Sequence, residues 1–239
     1  MVSGPQEWSD AVLAQGSFLP ALDAILNSQG TAHRALVKEA AWVASNVAAG
    51  RPEHRDALVA QGSAATLTAL LVSGQLDMQR EAAFAIWNLV SHGGERLSDA
   101  VKTPGVLDAF IGLLSVPAPS VVRCALSFLN LVCESIPGGP RLVDKHGGLE
   151  AIDNVHYSGE AEPELSAAAA AIADRFYGED YEDQSDLEEE GGASGGGHAA
   201  AVGEPFGDHH PPQDQAPQSH AAGMGRGSHL TRPSWMPKT

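Results

Sequence analysis

Aromatic residues are scarce, only 5% of the 239 residues. The core must therefore be aliphatic, with Ala and Leu its main constituents. Cysteine is scarcer still: Cys124 and Cys133 are the only two. They lie nine residues apart in one apolar-periodic segment. On a helix rising ~1.5 Å per residue they sit roughly 13 Å apart, beyond disulfide reach. That excludes a disulfide scaffold and points to a reducing, intracellular setting. Basic residues are outnumbered, 14 Lys and Arg against 30 Asp and Glu, for a net charge of -16. Nucleic acid and anionic membrane are polyanions, so neither is an expected partner, whereas a cationic partner is. No run of eighteen apolar residues exists, so no transmembrane helix is expected. The start, MVSGPQEWSD, has neither the basic n-region nor the apolar h-region of a secretory signal. What is present in quantity is hydrophobic residue, 43% of the chain, enough for one or two domains with a real core.

Composition breaks near Gly178. Up to that point the chain shows apolar periods and short Gly-marked turns; beyond it comes EDYEDQSDLEEE, with eight acids in the twelve residues 179–190. GGASGGGH and a stretch rich in Pro, His, Gly and Gln follow to Thr239. Residues 179–239 carry 11 acids and 3 bases, so the net charge divides equally between body and tail at -8 each. A segment of this kind buries too little apolar surface to offset its chain entropy, and reads as disordered. Leu187, Phe206, Leu230 and Trp235 are isolated apolar points in a solvated spacer.

The body repeats. Val12–Ser17 (VLAQGS) and Leu58–Ser63 (LVAQGS) match almost letter for letter. Lys38-Glu-Ala-Ala-Trp42, followed by Val-Ala-Ser-Asn46, matches Arg80-Glu-Ala-Ala-Phe84, followed by Ala-Ile-Trp-Asn88, at an offset of 42. Another step of 42 reaches Asn130, inside VVRCALSFLNLVCES. A fixed period in the low forties signals stacked helical repeats of the armadillo or HEAT kind. Each unit reads as three helices. A short first helix ends at Gly16, Gly62, Gly105 or Gly147. An aliphatic second helix covers Phe18–Asn27, Ala64–Val72, Val106–Leu114 and Leu149–Val155, and a longer third begins near Ala35, Met78, Ser120 and Glu162. Leu36, Ala40, Val43 and Val47 show the three-and-four spacing of a helix, and no segment alternates with period two. The expectation is an all-α, right-handed α-solenoid of about four repeats over 1–50, 51–93, 94–136 and 137–178, followed by the disordered tail 179–239.

The third helix carries the chemistry. Spacings of three, four and seven place Glu39, Trp42 and Asn46 on one helical face, and Glu81, Phe84 and Asn88 repeat the set. Helices pack roughly 8–10 Å apart and an extended peptide rises about 3.3 Å per residue, so equivalent positions would meet a bound strand about every third residue. An Asn side chain donates and accepts, and so can hold a peptide unit whatever its side chain. An indole face attracts ammonium or guanidinium by ~0.5–2 kcal/mol, and nearby carboxylates add charge attraction. Together these specify an extended, Lys/Arg-rich peptide. A single Trp or Asn on a helix is ordinarily packing or solvated surface; the argument rests on the repetition.

Other signals are weaker. GGASGGGH lacks a flanking strand and a Lys-Ser/Thr, so it is no phosphate loop. His209, His210 and His220 lack the Cys or carboxylate spacing of a metal site. Cys124 and Cys133 read as core thiols. His33, His54, His92, His146 and His156 show no repeated Ser or Asp partner in the sequence that would suggest a triad. No cofactor, metal or enzymatic chemistry is expected.

At the repeated face the sequence resembles the importin α family of nuclear-import adaptors. KEAAWVASNVAAG (38–50) and REAAFAIWNLVSHGG (80–94) are similar to its Trp-Asn repeat motifs. GGLEAIDNVHYSGEAEPELSAAAAAIADRFYGEDYED (147–183) resembles its terminal repeat and acidic tail. The resemblance covers about 1–178 and implies armadillo repeats corresponding to the seventh to the tenth of that family. It implies binding of basic nuclear localisation signals in a concave groove, with Glu39, Trp42 and Asn46 at positions of the minor site. It places Glu81 and Asn88 on the following repeat, where Phe84 stands at the usual Trp position and Trp87 faces elsewhere. At the third step Leu126 and Arg123 replace the aromatic and the acid, leaving Asn130 marginal. It further implies contact of 147–190 with the export receptor and its Ran-GTP partner, and shuttling between cytoplasm and nucleus. The importin β-binding basic segment and the major site of that family have no counterpart in this sequence. The alternative is a non-catalytic armadillo interaction module that binds no nuclear signal.

Overall fold

The computed structural model describes residues 10–28, 34–159, 161–178 and 181. The acidic run apart from Tyr181, the tail histidines and the apolar points of 187–235 lie outside them, as does the expectation of disorder after 178. All described residues fall within one unit, 1–189.

After a short helical stretch at 10–13, the helices are α1 (Phe18–Leu26), α2 (Arg34–Ala48), α3 (Pro52–Gln61), α4 (Ser63–Ser73), α5 (Leu76–Val90), α6 (Gly94–Lys102), α7 (Val106–Gly112, continued by a 3-10 turn over Leu113–Ser115), α8 (Pro119–Ser135), α9 (Gly139–Lys145), α10 (Gly148–Tyr157) and α11 (Pro163–Phe176). No strand occurs among the described residues. The expected triplets are present as α3-α4-α5, α6-α7-α8 and α9-α10-α11, preceded by α1-α2.

Local sequence explains the boundaries. Pro52, Pro119, Pro140 and Pro163 stand in first turns, where a missing N–H is harmless and the fixed φ already suits a helix. The corner between first and second helices needs a left-handed residue. Gly62, Gly105 and Gly147 supply it with φ of 91°, 84° and 76°, and α3 and α4 meet there at 80°. At Gly105 the corner is also crowded: a Cβ would come within 2.8 Å of Val72 Cγ1. Gly16 lies in the corresponding turn but not among the left-handed glycines.

The third helices α2, α5, α8 and α11 pack in file, with the most extensive contact between α2 and α5. One hydrophobic core runs from Leu22 to Ile172 without a break. It is aliphatic except where Phe110 of α7 and Phe128 of α8 stack, ring centroids 3.8 Å apart. Polar contacts between repeats follow the same period. Arg34 reaches Asp77, Ser63 reaches Asp23, Arg123 reaches Glu164 and Arg175 reaches Glu134, at separations of 40 to 43 residues. Arg96 pairs with Asp56 in the same way. Among the described residues no single helix is long and apolar enough to cross a membrane.

Candidate functional site

On α2 the buried positions Val37, Ala40, Ala41, Ala44, Val47 and Ala48 turn one face inward. Glu39, Trp42 and Asn46 remain together on the outer face: Glu39 and Asn46 are exposed and Trp42 is half-buried. Asn46 Nδ2 donates to the Trp42 carbonyl at 3.0 Å, within its own helix. The Trp42 indole Nε1 is shielded from solvent and has no acceptor among the described residues.

A shallow cleft of about 340 Å³ opens at the start of this face, lined by Arg34, Ala35, Lys38, Glu39 and Asp77. It is not uniformly acidic. Arg34 pairs with Asp77 at 2.8 Å. Burial pushes the Asp77 carboxyl up, but the Arg34 bond and charge, the Met78 N–H and the Lys38 charge outweigh it and hold the group below its ordinary value. Glu39 is the acid of the cleft left facing solvent without an ion-pair partner among the described residues.

The second set is placed differently. Phe84 and Asn88 are half-buried, and Glu81 is only 6% exposed. Asn88 Nδ2 donates to the Ser45 carbonyl at 3.0 Å and approaches Ser45 Oγ at 3.4 Å. Its amide therefore ties α5 to α2. Trp87, three residues on from Phe84, packs against the core as Phe84 does. At the third step Leu126 is buried at 2% exposure. Asn130 is half-buried, while Arg123 is exposed and bonded to Glu164.

Two histidines pair with Asp across repeats, without a third residue among the described ones that would make a triad. His54 Nε2 lies 2.6 Å from Asp10 Oδ1, and its Nδ1 accepts from the Arg51 N–H at 3.3 Å. His146 Nδ1 lies 2.6 Å from Asp108 Oδ1. Both pairs join neighbouring repeats across 44 and 38 residues, so no shared local spacing could reveal them. His54 caps α3, and both ring nitrogens are engaged in structure. Arg55 was also invisible as a functional residue of the fold: at 8% exposure it donates to the Gly50 carbonyl at 2.9 Å and the Ala48 carbonyl at 3.4 Å, satisfying the end of α2 as a cation does well.

The described residues contain no group of three His, Cys, Asp or Glu placed to hold a metal. His209, His210 and His220 lie outside them. Cys124 and Cys133 are free and buried. Burial pushes both thiols up, Cys133 to about 11. They are core residues, as the sequence suggests.

No protein-family model matches the chain. Among curated proteins, importin subunit alpha-2 of Oryza sativa subsp. japonica is 31% identical over 185 residues, 72% of this chain and 35% of that protein. Importin subunit alpha-9 of Arabidopsis thaliana is 32% identical over 160 residues, 62% of this chain and 30% of that protein. The chain thus spans about one third of the length of these relatives. Among solved structures, a designed armadillo repeat protein in complex with the peptide (KR)4 has a TM-score of 0.59 at 24% identity, over 73% of this chain and 70% of that one. A computationally designed armadillo repeat protein for modular peptide recognition has a TM-score of 0.61 at 21% identity, over 72% and 70%. Fold and sequence therefore agree: the chain is an armadillo-repeat solenoid whose sequence resembles the importin α family over nearly three quarters of its length.

Proposed function

We propose that this chain is a nuclear-import adaptor module whose third-helix face binds extended Lys/Arg-rich nuclear localisation signals. Glu39, Trp42 and Asn46 form the principal pocket, Glu81, Phe84 and Asn88 a weaker second one, and Asn130 a marginal contact. The observation that carries this reading is Trp42. Its indole N–H is shielded yet unpaired, which costs about 1–3 kcal/mol. A residue kept only for packing would avoid that cost as Phe, and the equivalent position of the next repeat is Phe84. What indole adds is a stronger surface for a cation. It is flanked by an exposed carboxylate, Glu39, and an exposed carboxamide, Asn46. Asn46 can exchange its intrahelical bond for a peptide carbonyl, and Glu39 is placed to attract the ligand's charge.

Asn88 and Glu81 support a second reading for the second set. Asn88 bonds across the repeat interface and Glu81 is buried, as a purely structural armadillo module would require. Fluorescence anisotropy with a labelled Lys/Arg-rich peptide and a charge-reversed control separates the two. Selective binding that weakens as salt rises supports the adaptor, and equal binding of both peptides overturns it. The similarity to importin α subunits also supports shuttling between cytoplasm and nucleus, and contact of 147–190 with the export receptor and Ran-GTP. Loss of receptor capture on deleting 147–190 is the expected result.

A further inference from the structure

The third-helix position occupied by Glu39 recurs as Glu81, Arg123 and Glu164, at steps of 42, 42 and 41 residues. Three of the four are acids, and the exception sits between the second acid and the last. Arg123 does not point idly to solvent: its Nη2 donates to Glu164 Oε2 at 3.0 Å. The same two helices are joined at their far ends by Arg175 and Glu134, also at 3.0 Å. On α8 and α11, therefore, the chain answers its own carboxylates with its own guanidinium groups. On α2 and α5 Arg34 likewise answers Asp77, but Glu39 is exposed and makes no ion pair among the described residues.

We infer that Arg123 ends the basic-peptide groove and so sets the length of Lys/Arg tract the chain can read. This rests on the peptide-binding reading above. The physical argument has two parts. First, a ligand cation reaching α8 meets a like charge at the position where α2 offers the exposed acid Glu39, and like-charge juxtaposition is unfavourable. Second, Glu164 is already engaged. The pair is exposed, 44% and 77% for the two side chains, so it adds little to stability. Yet Arg123 is tethered beside Glu164, and a tethered partner holds an effective concentration that a dissolved peptide cannot match. Leu126, buried where the earlier repeats present an aromatic, removes the cation-π surface at the same step. The ligand class follows: a peptide with a short basic cluster that becomes neutral or acidic where it reaches α8.

The test compares two labelled peptides of equal length: a short central Lys/Arg tract flanked by Ser, and Lys/Arg throughout. Four proteins are titrated: the parent, Arg123→Glu, Arg123→Gln and Arg96→Glu. Arg96 lies on α6 and also pairs with a carboxylate, so its reversal changes net charge equally without touching the third-helix face. Arg123→Glu should raise the preference for the long tract by about fivefold relative to the parent, as a repulsive contact becomes attractive and Glu164 is released. Arg123→Gln should give a smaller shift in the same direction, and Arg96→Glu should leave the ratio within about twofold. If Arg123→Glu and Arg96→Glu move the ratio alike, Arg123 acts only through net charge and the inference fails. If the parent binds neither peptide better than a charge-reversed control, the groove reading itself fails.

Discussion

Replacing Trp42 with Phe separates recognition from packing. In the fold, Trp42 is half-buried, and its Nε1 is shielded without an acceptor. Two stability effects of the exchange oppose each other. The smaller ring gives up apolar contact worth about 1 kcal/mol. Removing the unsatisfied donor returns about 1–3 kcal/mol. The net change should lie between neutral and slightly stabilising, so the thermal midpoint should hold or rise by a few degrees, taking about 2–4 °C per kcal/mol for a unit of this size. Binding should move the other way. Phe offers a weaker surface to a cation, and a loss of about 0.5–1 kcal/mol means a two- to fivefold weaker Kd for a Lys/Arg-rich peptide. Trp42→Ala loses the ring altogether and should weaken binding by about 1–2 kcal/mol, but it also opens a gap, so it cannot serve alone. Anisotropy titration and differential scanning fluorimetry on the same samples read both quantities. A Phe variant that melts several degrees lower and binds as tightly as the parent would refute the reasoning: the indole would then be packing.

Other outcomes follow from neighbouring features. Asn88→Ala should lower stability by about 1 kcal/mol, because it removes the bond from α5 to the Ser45 carbonyl; a drop in thermal midpoint larger than that of Asn46→Ala checks it. Gly105→Ala should destabilise more than Gly62→Ala. Both share the left-handed strain of about 1–2 kcal/mol, but only at Gly105 does the new Cβ meet Val72, whereas nothing lies within 4 Å at Gly62. Paired urea titrations should show that order. Cys124 and Cys133 should resist a thiol reagent at pH 8 until the fold is lost, since burial raises both groups. The same shifts make stability fall with rising pH. Unfolded thiols release protons near pH 8.5, while native Cys133 holds its proton until about 11. The unfolded state then binds fewer protons, and stability declines through that window. A double Cys→Ser variant should show a flatter decline.

Much of the fold was legible because the period is a statement about stacking. Four third helices expected near 35, 78, 120 and 162 begin at 34, 76, 119 and 163, and three of the four turn glycines hold left-handed backbone. Helical periodicity separates inner from outer faces, so the outward placement of Glu39, Trp42 and Asn46 was legible as well. What one strand of sequence cannot give is the lateral neighbour. Asn46 and Asn88 occupy equivalent places and look alike in sequence, yet one bonds within its helix and the other across to Ser45. The difference depends on which repeat precedes each. The Asp10–His54 and Asp108–His146 pairs were missed for the same reason: the partners lie one repeat away, on helices whose azimuth is set by packing. Glu81 was read as an outward acid because its spacing matches Glu39. It is only 6% exposed, while Arg123 at the equivalent position of the next repeat is exposed, so the period alone does not fix exposure.

The one-period reach of the long-range polar contacts has a consequence for how the chain acquires its structure. Closing a loop of about 40 residues carries nearly the same entropy wherever along the solenoid it occurs, because the cost grows only with the logarithm of loop length. No contact among those joining Arg34 to Asp77, Asn88 to Ser45 or Arg175 to Glu134 has to wait for the two ends of the chain to meet. Contact order per repeat is fixed, and lengthening the array adds further closures of the same size without raising the barrier to each. Assembly can therefore begin at whichever neighbouring pair is most strongly coupled, here α2 with α5 or the repeat centred on the Phe110–Phe128 stack, and advance outward one helix triplet at a time.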